Sequence, residues 1–192
     1  MPTSLAEKTT TIANLGSAFE CEWNTQARYT AFAAKADEDG LHGIASLFRA
    51  AARAEEIHAR NHMRAISQLS GEAHSEIHPV EVASTLQNLK VALAGEQHEI
   101  DSMYPPFLNE AYAANLNAAI RCFTWAIEAE RTHATLFRKA IEIVEQDLRD
   151  IWAGSPVEFN ICPVCGYTAE VVEQDDHCPV CNVPHEQFEV IR

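Results

Sequence analysis

The sequence has little basic charge and no long apolar run. Its 192 residues carry 14 Lys and Arg against 28 Asp and Glu, a formal net charge of -14. That charge repels phosphate backbones and anionic headgroups, which argues against binding to nucleic acid or to a membrane surface. No run of about 20 apolar residues is present to span a bilayer, and the N-terminus lacks the basic-then-apolar layout of a secretory signal. We therefore expect a cytoplasmic protein.

Glycine and proline are scarce before residue 152 and frequent after it. The first part is rich in Ala, Leu, Glu and Gln, which favour helices, whereas the end of the chain has the composition of turns. The later glycines and prolines are Gly154, Pro156, Pro163, Gly166, Pro179 and Pro184. The composition predicts a helical domain over residues 1–152, a linker over 153–159 and a small domain over 160–192.

Apolar residues in the first domain recur at alternating steps of three and four. This period is typical of amphipathic helices, and four such stripes can be traced. Turns are expected at Asp37–Gly40 and at Asn109–Asn115, and Pro105-Pro106 should kink or end the third helix. The pattern predicts an all-α four-helix bundle.

Each of the four stripes contains a glutamate in phase with its apolar residues. The four are Glu22, Glu55, Glu96 and Glu130. A buried, unpaired carboxylate costs several kcal/mol, and the stripes offer no Lys or Arg to compensate. The predicted hairpin turns bring all four to one level of one core, so bound cations are the expected compensation.

Two histidines strengthen this interpretation. His58 and His133 each follow a stripe glutamate by three residues, so carboxylate and imidazole point the same way from one helix. A Glu from each of two helices and Glu-x-x-His from the other two is the pattern of ferritin-like di-iron and di-manganese proteins. Glu99 adds a second carboxylate on the third helix, and His62 is interpreted as a core histidine. The residues accept iron, manganese or zinc.

Four of the six cysteines form two Cys-x-x-Cys pairs near the C-terminus. These are Cys162, Cys165, Cys178 and Cys181. Their spacing predicts a four-thiolate metal site that accepts zinc or iron, and so short a segment needs a metal to fold. Cys21 and Cys122 stand alone and are interpreted as small, partly buried side chains.

Several short motifs surround these residues. They are Ala27-Arg28-Tyr29-Thr30, Glu55-x-x-His58-Ala59, Gly95-Glu96-Gln97-His98-Glu99, Met103-Tyr104-Pro105, Ala129-Glu130-x-x-His133 and Cys162-Pro163-x-Cys165-Gly166-Tyr167. With them the sequence resembles the rubrerythrin family over nearly its whole length. One departure is Asn182, where a stand-alone rubredoxin usually has Gly. Asn tolerates a left-handed backbone, so we expect little effect.

The resemblance implies a set of ligands and an activity. Two non-haem irons would be held by Glu22, Glu55, His58, Glu96, Glu99, Glu130 and His133. Glu55 and Glu130 would bridge them, and one iron would shift between His58 and Glu99 with oxidation state. The four cysteines would hold a rubredoxin-type iron. The family reduces hydrogen peroxide to water in oxidative-stress defence, with electrons from a reduced-nicotinamide-dependent oxidoreductase or a rubredoxin.

Two further expectations concern the surroundings of the site. Tyr29 and Tyr104 lie one or two turns from the ligands, as hydrogen-bond donors to carboxylates or as aromatic core filler. The C-terminal module is expected beyond the end of the fourth helix, about 30 Å from Glu130 at 1.5 Å per residue. That distance is too long for efficient electron transfer within one chain unless the module folds back. A head-to-tail homodimer, which the resemblance implies, would bring the module close to a di-iron site.

Two other functions remain open from the sequence. One is a ferroxidase or iron-binding protein, which would have no use for an electron input. The other is an interaction protein whose four cysteines form a zinc ribbon, which would leave the buried glutamates unexplained.

Overall fold

The computed structural model describes residues 5–146, 152, 156–171 and 176–192. Five α-helices make up the N-terminal part. They are α1 (Leu5–Glu38), α2 (His42–Gln68), α3 (Thr85–His98), α4 (Tyr104–Ala113) and α5 (Asn117–Glu145). α1 and α2 form one hairpin, and α3 with α4 forms the long element that pairs with α5. The predicted four-helix bundle is therefore confirmed.

Tight turns separate the helices of each hairpin. The first hairpin turn lies within the predicted Asp37–Gly40 segment but is shorter than expected, because α1 stays helical to Glu38 and Gly40 takes a φ of +72°. The second turn is shorter than expected, because α4 stays helical to Ala113 and Asn115 at φ +53° reverses the chain. Asn tolerates this left-handed conformation better than most residues.

The third bundle helix changes its winding beside the site. Between α3 and α4 the chain forms one π-helical turn, Glu99–Met103. Pro105 and Pro106 follow in the first turn of α4, where a missing N–H costs little. The expectation that the prolines kink or end this helix is thus only partly met, because the chain stays helical through them. A π-turn places an extra residue in a helix and is often found at functional sites.

The C-terminal module is a small antiparallel sheet with two cysteine-bearing turns. Its strands are β1 (Phe159–Ile161), β2 (Thr168–Glu170) and β3 (Glu189–Ile191), in the order β2-β1-β3. The turns close through Gly166 at φ +81° and Asn182 at φ +62°. Asn182 therefore adopts the left-handed conformation expected of it. Of the predicted linker, residues 153–155 lie outside the described residues, as do residues 147–151, where the sequence pattern predicts the end of the fourth helix.

The module packs onto the bundle, so the expectation that it lies beyond the last helix is wrong. Phe159 and Ile161 are fully buried in the same core as Phe48 and Phe137. Arg53 of α2 forms a two-pronged salt bridge with Glu189 of β3, with N···O distances of 2.7 and 2.8 Å. Apolar strand residues need such a surface, because a module of this size cannot bury them alone.

No helix among the described residues is both long and apolar enough to cross a membrane.

Candidate metal centres

The four in-phase glutamates meet in the middle of the bundle. Glu22 of α1, Glu55 of α2, Glu96 of α3 and Glu130 of α5 are each at most 1% exposed. The helical period places them on the buried faces because each replaces an apolar residue of its stripe. The core thus contains four carboxylates, each contributed by a different helix.

These carboxylates and two histidines form two groups that could each hold a metal ion. The first is Glu22, Glu55, His58 and Glu130, and the second is Glu55, Glu96, Glu130 and His133. Within each group the ligand atoms lie within 4.8 Å of one another. Glu55 and Glu130 belong to both groups, so they can bridge two ions.

Both imidazoles face the carboxylates through Nδ1. His58 Nδ1 lies 3.1 Å from Glu55 Oε2 and 2.9 Å from Glu130 Oε1. His133 Nδ1 lies 2.7 Å from Glu130 Oε2 and 3.6 Å from Glu96 Oε2. The i,i+3 spacing on α2 and α5 sets this direction. Each histidine therefore has Nε2 free to contact a different part of the molecule.

Glu99, the first residue of the π-turn, lies outside both groups. Its side chain is buried at 4% exposure, and its Oε1 accepts a hydrogen bond from the thiol of Cys21 at 3.4 Å. Sequence reasoning missed this contact and treated Cys21 as a small packing residue. Nothing in the local sequence signals a bond between residues 78 positions apart.

Two tyrosine hydroxyls donate hydrogen bonds to carboxylates of the site. Tyr29 OH donates to Glu96 Oε1 at 2.5 Å, and Tyr104 OH donates to Glu22 Oε1. Both rings also pack in the core, against Phe48 and Phe123 respectively. His62, which belongs to neither group, contacts the hydroxyl of Tyr104 through Nε2 at 3.1 Å.

The site concentrates negative charge where water is excluded. Burial and then neighbouring carboxylates raise the pKa of Glu22, Glu96 and Glu99 well above the usual range. Burial opposes ionisation of Glu130 as well, but His58 and His133 hold its pKa below the usual range. Positive charge is what this cluster needs, and a pair of divalent cations would supply it.

The unpaired oxygens test whether such ions fit. In the part of the chain that the structure describes, Glu22 Oε2, Glu55 Oε1, Glu96 Oε2 and Glu99 Oε2 have no hydrogen-bond donor. Buried acceptors are rarely left in this state without a partner such as an ion. Carboxylate and imidazole are suitable ligands for iron, so the residues fit a di-iron centre.

The four cysteines of the module also come together. Sγ of Cys162 lies 3.4 Å from that of Cys181, and Sγ of Cys165 lies 3.5 Å from that of Cys178. A tetrahedral ion with metal–sulfur bonds of about 2.3 Å requires sulfurs about 3.8 Å apart. The arrangement is therefore close to that of a four-thiolate metal site without an open position.

The two centres are joined by the histidines. His58 Nε2 lies 3.1 Å from the carbonyl oxygen of Cys165, and His133 Nε2 lies 3.2 Å from Thr168 Oγ1. Asn61 adds a bond to the carbonyl of Val164 at 2.8 Å. A Cβ on Gly166 would lie 2.2 Å from His58 Nε2. Sequence reasoning missed these junction residues, because the contacts depend on how the module packs.

Comparison with known families supports this geometry. The family model Rubrerythrin matches residues 13–141, and the model Rubrerythrin, rubredoxin-like domain matches residues 161–189. The chain belongs to the rubrerythrin family. It is 35% identical over 177 residues to rubrerythrin-2 of Clostridium acetobutylicum, covering 91% of this chain and 93% of that protein. It is 34% identical to nigerythrin of Nitratidesulfovibrio vulgaris, covering 93% and 85%.

Solved structures agree with the family assignment. A mixed-valent state of nigerythrin superimposes with a TM-score of 0.83 at 32% identity, covering 94% of this chain and 86% of that one. A fully reduced, all-ferrous state of nigerythrin gives the same TM-score at 31% identity, with the same coverage. As a rubrerythrin-family protein, the chain has a di-iron carboxylate–histidine site in its bundle and a rubredoxin-like four-cysteine site. It is an iron-dependent oxidoreductase.

Proposed function

We propose that this rubrerythrin-family chain is a peroxidase that reduces hydrogen peroxide to two waters, with electrons passed through iron in the four-cysteine site. One observation carries the proposal. His58 faces the carboxylates through Nδ1 and the backbone of Cys165 through Nε2. An imidazole is thus the link between the centre that would receive electrons and the centre that would use them. The activity fits a role in oxidative-stress defence.

The proposed ligands of the bundle are the members of the two groups together with Glu99, which the family resemblance adds. Glu22, Glu55, His58, Glu96, Glu99, Glu130 and His133 would hold the two irons of the bundle, with Glu55 and Glu130 shared. Cys162, Cys165, Cys178 and Cys181 would hold the third. Ferrous irons held in the bundle would supply the two electrons that reduction of peroxide to two waters requires, together with two protons.

The chain's own groups orient the site and control its protons. Tyr29 and Tyr104 each commit a hydroxyl proton to one carboxylate oxygen, which fixes the direction of Glu96 and Glu22. The cysteine module and the bundle helices keep His58 and His133 at most 1% exposed. Bulk water is therefore excluded from the reacting centre, and the Nε2 contacts of the two imidazoles hold their rings toward the carboxylates.

Metal analysis with a visible spectrum separates this function from the two alternatives. A peroxidase of this kind contains about three irons per chain and absorbs visible light through its four-thiolate iron. Two irons with one zinc would contradict it, because zinc is not redox-active and cannot pass electrons. The histidine link argues against a ferroxidase, which has no need of electrons from the module.

The catalytic assignment is tested with Glu130→Ala. Glu130 belongs to both metal-binding groups, so its loss should abolish peroxide-dependent reoxidation of the reduced four-thiolate iron. The measurement is the return of visible absorbance after anaerobic reduction and mixing with peroxide. Lys90→Ala removes only an exposed salt bridge to Glu145 and serves as the control. Reoxidation of the four-thiolate iron at the wild-type rate in Glu130→Ala would contradict the assignment of Glu130 as a ligand required for catalysis.

A head-to-tail homodimer stays a prediction. The distance between module and di-iron site no longer requires it, because the junction forms within one chain. Exchange of modules between subunits would make the same contacts. Mixing Cys181→Ala with Glu130→Ala tests it, since only transfer between subunits restores peroxide turnover. No restoration in a mixture shown to exchange subunits would contradict a dimer of this kind. The cytoplasmic location and a rubredoxin or a reduced-nicotinamide-dependent oxidoreductase as donor likewise stay predictions.

A further inference from the structure

Thr168, the first residue of β2, places a buried hydroxyl between the module and the bundle. Its side chain is 1% exposed, a degree of burial typical of apolar residues. A buried hydroxyl without hydrogen-bond partners costs free energy. The hydroxyl of Thr168 has two partners, one in the module and one in α5.

The two partners fix the direction of both hydrogen bonds. Thr168 Oγ1 lies 3.0 Å from the carbonyl oxygen of Gly166 and 3.2 Å from Nε2 of His133. A hydroxyl has one hydrogen to donate, and a carbonyl oxygen can only accept. The hydrogen of Thr168 therefore goes to Gly166, and a lone pair of Oγ1 accepts the hydrogen on Nε2 of His133.

This direction is the one that a metal at His133 requires. Nδ1 of His133 lies with the ligand atoms of Glu55, Glu96 and Glu130. A neutral imidazole that binds a metal through Nδ1 carries its hydrogen on Nε2. The hydrogen bonds thus run from the metal-binding group through His133 and Thr168 to the backbone of the module.

We propose that Thr168 is a positioning residue, whose hydroxyl orients His133 and makes the module part of the metal site at the Glu96–His133 end of the bundle. The contact of His58 is of a different kind, because its Nε2 faces the backbone carbonyl of Cys165. The link from His133 depends on a side chain, whereas the link from His58 does not. This inference rests on the di-iron site and on the packing of the module, not on the peroxidase activity.

Thr168→Val tests the proposal, because valine keeps the shape of threonine and removes the hydroxyl. The measurement is proton NMR of the anaerobically reduced, all-ferrous protein. N–H hydrogens of iron-bound imidazoles give strongly shifted signals that disappear in D₂O, and the four-cysteine iron has no imidazole ligand. The wild type should show two such signals, from His58 and His133. Thr168→Val should lose one of them to fast exchange with water and keep the other.

Release of iron to a chelator gives a second readout. Removal of a group that orients a metal ligand commonly lowers metal affinity by 10- to 100-fold. Thr168→Val should therefore release one of its two bundle irons about tenfold faster than the wild type. Thr168→Ser keeps the hydroxyl and should restore both the signal and the slow release.

Thr135→Val is the matched control. Thr135 is an exposed threonine of α5, two residues from His133, and its hydroxyl donates to the carbonyl of Arg131. This variant should keep both imidazole signals and the wild-type rate of iron release. The visible absorbance of the four-thiolate iron shows in each variant that the module is folded.

Three results would overturn the proposal. Both signals could persist in Thr168→Val with a folded module, which would leave the hydroxyl without a role. Both could be lost, which would mean that Thr168 serves to attach the module and not to orient one histidine. The wild type could show a single exchangeable imidazole signal, a result that needs no variant. None of these readouts depends on peroxide, so failure of the proposed activity would leave the test intact.

Discussion

At the scale of single residues, the hydroxyl of Tyr104 is a direct support of the site. It donates to Glu22 Oε1 and lies 3.1 Å from Nε2 of the neighbouring His62, and all three side chains are fully buried. Groups that orient metal ligands in this way commonly change metal affinity or activity by 10- to 100-fold when removed. The rest of the ring fills core space against Phe123.

Tyr104→Phe should therefore lower iron affinity and slow the reaction with peroxide by roughly tenfold or more, because Glu22 loses its donor while the core stays filled. Iron content after dialysis and single-turnover rates would measure both effects. Tyr112→Phe is the control, because Tyr112 is an exposed tyrosine of the same helix, α4. Equal behaviour of the two variants would show that the hydroxyl of Tyr104 has no role.

Gly166 is the residue that lets the module approach His58. Its φ of +81° disfavours any side chain, and a Cβ would lie 2.2 Å from His58 Nε2. Gly166→Ala should therefore displace the Cys165 carbonyl from His58 and slow reoxidation of the four-thiolate iron by roughly tenfold. Gly16→Ala is the matched control, since a Cβ there meets nothing within 4 Å. Reoxidation at the wild-type rate in Gly166→Ala would argue against this junction as the electron path.

Individual site residues differ in how far the sequence predicts them. The period of the helices predicts the burial of Glu22, Glu55, Glu96 and Glu130, because a helix face is a local property. The bond between Cys21 and Glu99 depends on the packing of distant elements, and local periodicity carries no information about it. The closeness of Gly166 to His58 has the same origin.

At the scale of elements, the π-turn and the packing of the module shape the site. The sequence predicts helix three but not its change of winding, because Pro105-Pro106 suggests an interruption and gives no indication of a wider turn. In the structure the prolines begin α4 directly after the π-turn. The π-turn starts at Glu99, the one site glutamate that lies outside both metal-binding groups. The change in helical winding therefore occurs at this residue.

The salt bridge between Arg53 and Glu189 attaches β3 to α2. Glu189→Gln should weaken this attachment, seen as faster hydrogen exchange in β3 and slower reoxidation of the module iron. Glu186→Gln, at an exposed position of the same module, should have little effect. Unchanged exchange in Glu189→Gln would mean that the apolar contacts of Phe159 and Ile161 suffice.

The same pair predicts a dependence on pH. The hydrogen bonds from Arg53 hold the pKa of Glu189 below its usual range. A lowered pKa stabilises the packed state above the usual carboxyl pKa of about 4.3, and this gain is lost as the pH falls through the lowered value. The difference between wild type and Glu189→Gln should thus be full at pH 7 and shrink as the pH falls through the lowered pKa of Glu189. A constant difference across this range would contradict the assignment.

At the scale of the whole molecule, two metal centres share one folded unit, and we expect only the module to depend on its metal for folding. The cysteines themselves form the buried cluster of the module, whereas the bundle cores consist mainly of apolar residues from the helices, joined by Phe159 and Ile161 of β1. Cys181→Ala should remove the visible absorbance and the ordered module while keeping helical circular dichroism and about two irons. Loss of helical signal would show that the bundle needs the module to fold.

Most of the architecture follows from the sequence, and the relation between its parts does not. Periodicity predicts the bundle, and Cys-x-x-Cys spacing predicts the four-thiolate site, since both are local patterns. The predicted position of the module is wrong because the length of the fourth helix does not determine where the module packs. Phe159 and Ile161 form an apolar face that is buried against the bundle. The acidic excess of the chain includes five buried glutamates at the site, which the irons neutralise in part.

The proposed function requires electrons to pass from the four-cysteine iron to the di-iron site and then to peroxide. Anaerobic stopped-flow mixing of the fully reduced protein with excess hydrogen peroxide, followed at the visible absorbance of the oxidised four-thiolate iron, tests this transfer. We expect rapid return of this absorbance in the wild type and none on that timescale in Glu130→Ala. Return at the same rate in both proteins would contradict it, because the module would then react with peroxide without the bundle.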